Sequence, residues 1–158
     1  KLPLKIKQKT TVLKVSGLAN GDSVASWKSG NTKVVKVSGK PNGTCTLAAG
    51  RKKGKTTITI ILKSGLKKKI TITVQKAAVK TSKITGMPKN LKLKKNQTVT
   101  LKAAAAPLTS LQKLKYKSSN KKIVTVTSKG VIKAKKKGKA VITVQSGSKT
   151  VKCKVTVK

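Results

Sequence analysis

Along most of the chain, apolar and polar residues alternate with period two and β-branched residues dominate, a pattern that predicts strands with one face turned inward. In Val151-Lys152-Cys153-Lys154-Val155-Thr156-Val157 the valines and the cysteine fall on one face, the Lys and Thr residues on the other. The same alternation runs through Leu4-Lys5-Ile6-Lys7, Leu91-Lys92-Leu93-Lys94 and Ile58-Thr59-Ile60. Ile61 and Leu62 then interrupt it, and that strand is expected to end buried on both faces. Only Ala103–Ala106 favours a helix, and Pro107 closes it within one turn. Short strands broken by Gly, Asn and Ser turns predict an all-β chain of two antiparallel sandwiches, each of about 75 to 80 residues.

The chain also repeats itself. Ser26-Trp27-Lys28-Ser29-Gly30-Asn31-Thr32-Lys33-Val34-Val35-Lys36-Val37 aligns with Lys115-Tyr116-Lys117-Ser118-Ser119-Asn120-Lys121-Lys122-Ile123-Val124-Thr125-Val126 at an offset of 89. Gly54-Lys55-Thr56-Thr57-Ile58-Thr59-Ile60 aligns with Gly138-Lys139-Ala140-Val141-Ile142-Thr143-Val144 at 84, and Ile70-Thr71-Ile72-Thr73-Val74 with Cys153-Lys154-Val155-Thr156-Val157 at 83. Two homologous units follow. The first spans residues 1–75 and the second 82–158, with 76–81 as linker because Lys76-Ala77-Ala78-Val79-Lys80-Thr81 has no sustained alternation. The offset shrinks because the first unit is longer between Val37 and Gly54, which predicts a longer hairpin around Ser38-Gly39-Lys40-Pro41-Asn42-Gly43.

These residues resemble the bacterial immunoglobulin-like domain, group 2. In the second unit Ile84-Thr85-Gly86-Met87-Pro88 resembles the family's opening and Tyr116-Lys117-Ser118-Ser119-Asn120 its tryptophan-serine-serine-asparagine segment. Gly138-Lys139-Ala140-Val141-Ile142-Thr143-Val144 resembles its glycine-led closing strand. The resemblance implies two tandem immunoglobulin-like β-sandwich domains, of a lysine-rich type similar to surface proteins of gut Clostridia. The first unit departs from it in three ways. No full opening strand precedes Lys1-Leu2-Pro3, Gly50 stands where the second unit has Ala134, and the middle hairpin is longer. An acidic residue that the family often carries is absent from Lys95-Asn96-Gln97-Thr98.

Composition narrows the chemistry. Among 158 residues there are 40 Lys or Arg, one acid, Asp22, and no His, for a net charge of +39. That inventory removes nearly every general acid, base and metal ligand, so no enzyme and no cofactor are expected. No apolar run approaches the roughly 20 residues of a membrane-spanning helix. Starting at Lys1 without a charged-then-apolar leader, the chain reads as a piece of a longer, secreted or cell-surface bacterial protein. Cys45 and Cys153 are in phase with inward neighbours and are expected to be buried thiols.

Arg51 is the sole arginine. Lysine is a hydrated point charge without the planar fork that reads phosphates and bases, and Trp27 and Tyr116 are too few to stack bases. These two aromatics occupy equivalent slots and are expected to anchor one core each. Candidate polyanion-binding residues are the clusters Arg51-Lys52-Lys53, Lys67-Lys68-Lys69, Lys121-Lys122 and Lys135-Lys136-Lys137. Lysines on strand faces also prevent edge-to-edge aggregation, but that does not explain the missing acids. The expected partners are anionic polymers: teichoic acids, sulfated or sialylated glycans, or nucleic acid bound non-specifically, with anionic membrane surfaces as a further target and the chain a monomer. A passive spacer and a cationic carrier that enters cells are the competing classes. Engineered supercharging would spare the core in the same way.

Overall fold

The computed structural model describes residues 1–158, and the chain divides into two compact units, Lys1–Val79 and Lys80–Lys158. All regular structure is strand. Unit 1 contains β1 (Leu2–Lys5), β2 (Lys9–Thr10), β3 (Val24–Ser29), β4 (Val35–Gly39), β5 (Cys45–Ala49), β6 (Gly54–Leu62) and β7 (Lys67–Gln75). Unit 2 contains β8 (Lys83–Thr85), β9 (Asn90–Leu93), β10 (Thr98–Thr100), β11 (Ala104–Ala106), β12 (Lys115–Ser118), β13 (Val124–Val126), β14 (Val131–Ala134), β15 (Gly138–Ser146) and β16 (Lys149–Val157).

The two main sheets of each unit correspond strand for strand, and unit 2 adds a two-stranded β11-β8 sheet. Unit 1 sets β1-β7-β6-β3 against β2-β5-β4, and unit 2 sets β12-β15-β16-β9 against β10-β14-β13. β1 joins β7 in parallel as β9 joins β16, and the remaining pairs are antiparallel. Each core is aliphatic because alternation sends one side of every strand inward. In unit 2, Val124, Ile132 and Ala134 of one sheet meet Ile142, Val144, Cys153 and Val155 of the other. In unit 1, Val35, Leu47 and Ala49 meet Ile58, Ile72 and Val74. These are immunoglobulin-like β-sandwiches. Both cysteines are free and buried; Cys45 Sγ donates to Leu13 O at 3.5 Å, and desolvation pushes its thiol up to about 11.

Three expectations change. Ala104–Ala106 is a strand, because β8 is available to pair with it along Ala104–Thr85, Ala105–Ile84 and Ala106–Lys83. Ile61 and Leu62 are only half-buried; they end an exposed hairpin, and Leu62 borders an open cleft of about 440 Å³ with Val15, Ile60, Leu66 and Ile70. Gly50 is not the counterpart of Ala134. Val35 pairs with Ala49 as Val124 pairs with Ala134, and Ala49 N–H donates to Gln8 O as Ala134 N–H donates to Gln97 O, both at 2.9 Å. The offset is therefore 89 at the valines, 85 at the alanines and 84 at Gly54 and Gly138. Four of the extra residues lengthen the β4–β5 hairpin and the fifth lies between Gly50 and Gly54, because Gly50 N–H donates to Val34 O as Lys135 N–H donates to Ile123 O; a Cβ on Gly50 would run into Lys33 O.

A turn before the second sheet recurs in both units. Lys7 and Asn96 adopt left-handed φ of 62° and 66°. Gln8 Oε1 accepts Lys5 N–H at 2.7 Å and Gln97 Oε1 accepts Lys94 N–H at 2.9 Å. A neutral carboxamide thus closes the turn at the segment from which the acid is missing.

Candidate polyanion-binding surface

Every one of the 39 lysines and Arg51 is exposed. Burial of an unpaired ammonium is costly, and one carboxylate could not neutralise them. That carboxylate is engaged elsewhere. Asp22 Oδ1 accepts the Ser23 and Ser64 N–H groups at 2.8 and 3.2 Å, and Oδ2 accepts Ser64 Oγ–H at 2.8 Å. Led by the Ser64 hydroxyl, these bonds hold its carboxyl below the usual carboxylate range.

The clusters gather at two ends of the sandwiches. Asn120 turns the chain after β12, with its O accepting Val124 N–H at 3.0 Å and its Oδ1 accepting Lys122 N–H at 3.0 Å. Ile123 O then accepts Lys135 N–H at 2.8 Å. The backbone therefore joins Lys121-Lys122 to Lys135-Lys136-Lys137 at one corner. In unit 1 Asn31 makes the same turn, Val34 O accepts Gly50 N–H at 2.8 Å, and Arg51, Lys52 and Lys53 border a shallow cleft of about 630 Å³ with Lys33 and Lys36. Lys67-Lys68-Lys69 lies apart, at the opposite end of β6, where Lys67 and Lys68 flank the apolar cleft beside Leu66.

Trp27 and Tyr116 are half-buried against their cores rather than central to them. Both sit on edge strands, β3 and β12, and each covers a hairpin glycine. A Cβ on Gly39 would land within the Trp27 indole, and one on Gly130, at φ +79°, would lie 3.0 Å from the Tyr116 ring. Neither ring stands free as a stacking platform.

The arrangement that sequence inspection missed is the spacing of lysines across the sheets. No paired position sets one lysine opposite another. Like charges directly opposite are destabilising, and the register avoids them by interposing a neutral residue. Four cross-strand rows result: Lys9–Ala48–Lys36, Lys28–Thr59–Lys69, Lys117–Thr143–Lys152 and Lys92–Thr156–Lys139. With strands about 4.8 Å apart, the two lysines of a row stand roughly 10 Å apart.

The family model described as bacterial Ig-like domain (group 2) matches residues 78–157. Among curated proteins the chain is similar to a kappa-carrageenase of Pseudoalteromonas carrageenovora, 44% identical over 66 residues, which is 41% of this chain and 17% of the carrageenase. The chain thus matches less than a fifth of that relative's length. Among solved structures it is similar to domains 4 and 5 of the S-layer protein SbsC, at 22% identity over 90% of this chain and 74% of that one with a TM-score of 0.45. It is also similar to a bacterial Ig-like domain-containing GH10 xylanase from termite gut, at 26% identity over 43% of this chain and 18% of that one with a TM-score of 0.36. With the group 2 model matched across half of its length, the chain belongs to the bacterial Ig-like domain family.

Proposed function

We propose that this chain is a non-catalytic module of a secreted or cell-surface protein, built of two tandem group 2 domains, that binds anionic polymers through its field for anchoring or adhesion. One observation carries the reading: all 40 cationic side chains face water while the one carboxylate is held by serines. A surface so one-sided attracts polyanions and repels itself. Lysines that neutralise a regularly charged polymer release its condensed counterions, and the released ions drive binding. Thirty-nine lysines against one arginine, and aromatics folded over glycines, favour charge over base sequence.

The test is binding of the purified chain to teichoic acid, heparin, DNA, kappa-carrageenan and a neutral polysaccharide across a salt series. Kappa-carrageenan is included because the carrageenase relative is named for it. Binding to the anionic polymers, with log K falling linearly against log salt and no retention of the neutral polymer, is the expected result. Failure to bind any anionic polymer at low salt would leave a passive spacer.

A further inference from the structure

We propose that the outer face of the β12-β15-β16-β9 sheet is an organised binding face for a linear anionic polysaccharide, with one charged sugar seated between Lys139 and Lys154. The inference rests on the polyanion reading above and replaces its diffuse field with a place.

Register defines the face. Ala140, Ile142, Cys153, Val155 and Leu93 turn inward and are buried, so their neighbours in sequence turn out. Across the strands these outward residues form the rows Lys117–Thr143–Lys152, Val141–Lys154–Asn90 and Lys139–Thr156–Lys92. All five lysines are exposed. Between the last two rows lies a trough of about 450 Å³, lined by Lys139, Lys154, Asn90, Ser119, Val141 and Thr156.

That lining suits a sugar acid or sugar sulfate better than a bare chain of phosphates. The two ammonium groups meet the anionic substituent as point charges. Asn90, with donors and an acceptor, and the Thr156 hydroxyl can pair with ring hydroxyls. Val141, half-buried on the floor, offers an apolar contact for the C–H face of a ring. Saccharide sites combine these three kinds of group, whereas a nucleic-acid face would call for arginine forks and exposed aromatics. The spacing agrees, because Lys139 and Lys154 are diagonal neighbours across β15 and β16, roughly 7 to 8 Å apart, within reach of one anionic substituent.

Unit 1 does not repeat the trough. Its row Lys28–Thr59–Lys69 corresponds to Lys117–Thr143–Lys152. Yet Thr57 and Thr71 stand at the positions of Val141 and Lys154, and Pro3 at that of Lys92. The site therefore belongs to the second unit alone.

Three variants of the full chain test this: a face variant, Lys92→Gln/Lys139→Gln/Lys154→Gln; a corner variant, Lys135→Gln/Lys136→Gln/Lys137→Gln, with the same charge loss; and a neutral variant, Asn90→Ala/Thr156→Val. The probes are kappa-carrageenan, poly(glycerol phosphate) and duplex DNA at equal charge concentration, with circular dichroism confirming the fold. The face variant is expected to lose about tenfold in affinity for the sulfated polysaccharide and about 2 to 3 units of salt slope, from three ion contacts at 0.7 to 0.9 each. The corner variant should lose under about twofold, and the neutral variant a few-fold with the slope unchanged. Equal losses from face and corner would overturn the face while leaving the polyanion reading intact. Tighter binding of DNA or poly(glycerol phosphate) than of the polysaccharide would overturn the sugar assignment, and no binding by the unsubstituted chain would overturn both readings.

Discussion

At Gly39 and Asp22 a single atom decides local structure. A methyl at Gly39 has nowhere to go but into the Trp27 ring, whose Nε1–H points at Lys40 O across 3.4 Å. Gly39→Ala should therefore push the indole off its core, costing about 1 to 3 kcal/mol as overpacking does. Trp27 is the sole tryptophan, so its fluorescence reads the event directly: red-shifted emission is expected, and unchanged emission would show that the hairpin gives way instead. Asp22 makes a different prediction, one of pH. Its carboxyl is held below the ordinary value, chiefly by the Ser64 hydroxyl. A carboxylate whose folded pKa is depressed contributes stability above the unfolded value and loses it as pH falls through the folded one. The tie between the 16–23 segment and the β6–β7 turn should thus persist at neutral pH and release only below the usual carboxylate range. The Ser64 amide resonance should report that midpoint, and Asp22→Asn should abolish the titration, with no second side-chain acid to obscure it.

Among the elements, the long strands were legible because burial of one face writes itself into the sequence as alternation: Gly138–Ser146 and Lys149–Val157 read as strands from their valines, isoleucine and cysteine alone. β11 was not, since three alanines carry no alternation and become a strand only because β8 pairs with them. The Gly50 register was equally hidden, as only the Val35–Ala49 pairing and the Gly50–Val34 bond separate the hairpin insertion from the extra residue that follows Gly50. The candidate site divides in the same way. Contiguous clusters such as Lys135-Lys136-Lys137 stand out in a sequence, whereas the row Lys92–Thr156–Lys139 draws on three distant strands and exists only once the register is known. Element pairing also sets relative stability. β8 places Ile84 in the second core, while at the corresponding place in unit 1 Val15 and Ser16 face the open cleft beside Leu66, which is 68% exposed. The contiguous core has twelve buried members in unit 2 and eight in unit 1. Val24 and Ile60 are also buried in unit 1 outside that cluster, so the buried side chains are nearly equal in number and it is the open cleft beside Leu66 that predicts that unit 1 unfolds first. In a urea titration the Trp27 fluorescence transition should precede that of the unit 2 amides; coincident transitions would show that the units unfold together.

For the whole molecule the decisive quantity is +39 on 158 residues. The four rows keep eight of its lysines from standing directly opposite one another, yet a separation of roughly 10 Å only weakens the repulsion. The Debye length is about 30 Å at 0.01 M salt, about 10 Å at 0.1 M and about 3 Å at 1 M. At the lowest strength each lysine therefore feels much of its unit, and near 0.1 M the screening length falls to the spacing within a row. Unfolding lets the charges move apart, so the repulsion destabilises the compact state and salt should remove that penalty. Melting temperature is expected to climb steeply between about 0.01 and 0.15 M sodium chloride and to flatten above it, the opposite of a protein held by surface ion pairs. A bound polyanion neutralises the same lysines without bulk salt, and by binding the folded chain it should raise the melting temperature further at low ionic strength. The two stabilisations compete, because added salt both screens the lysines and weakens the polymer's grip. The increment from polymer should accordingly shrink as the increment from salt grows. A melting temperature independent of salt would mean that the neutral spacers already dispose of the repulsion within the folded chain.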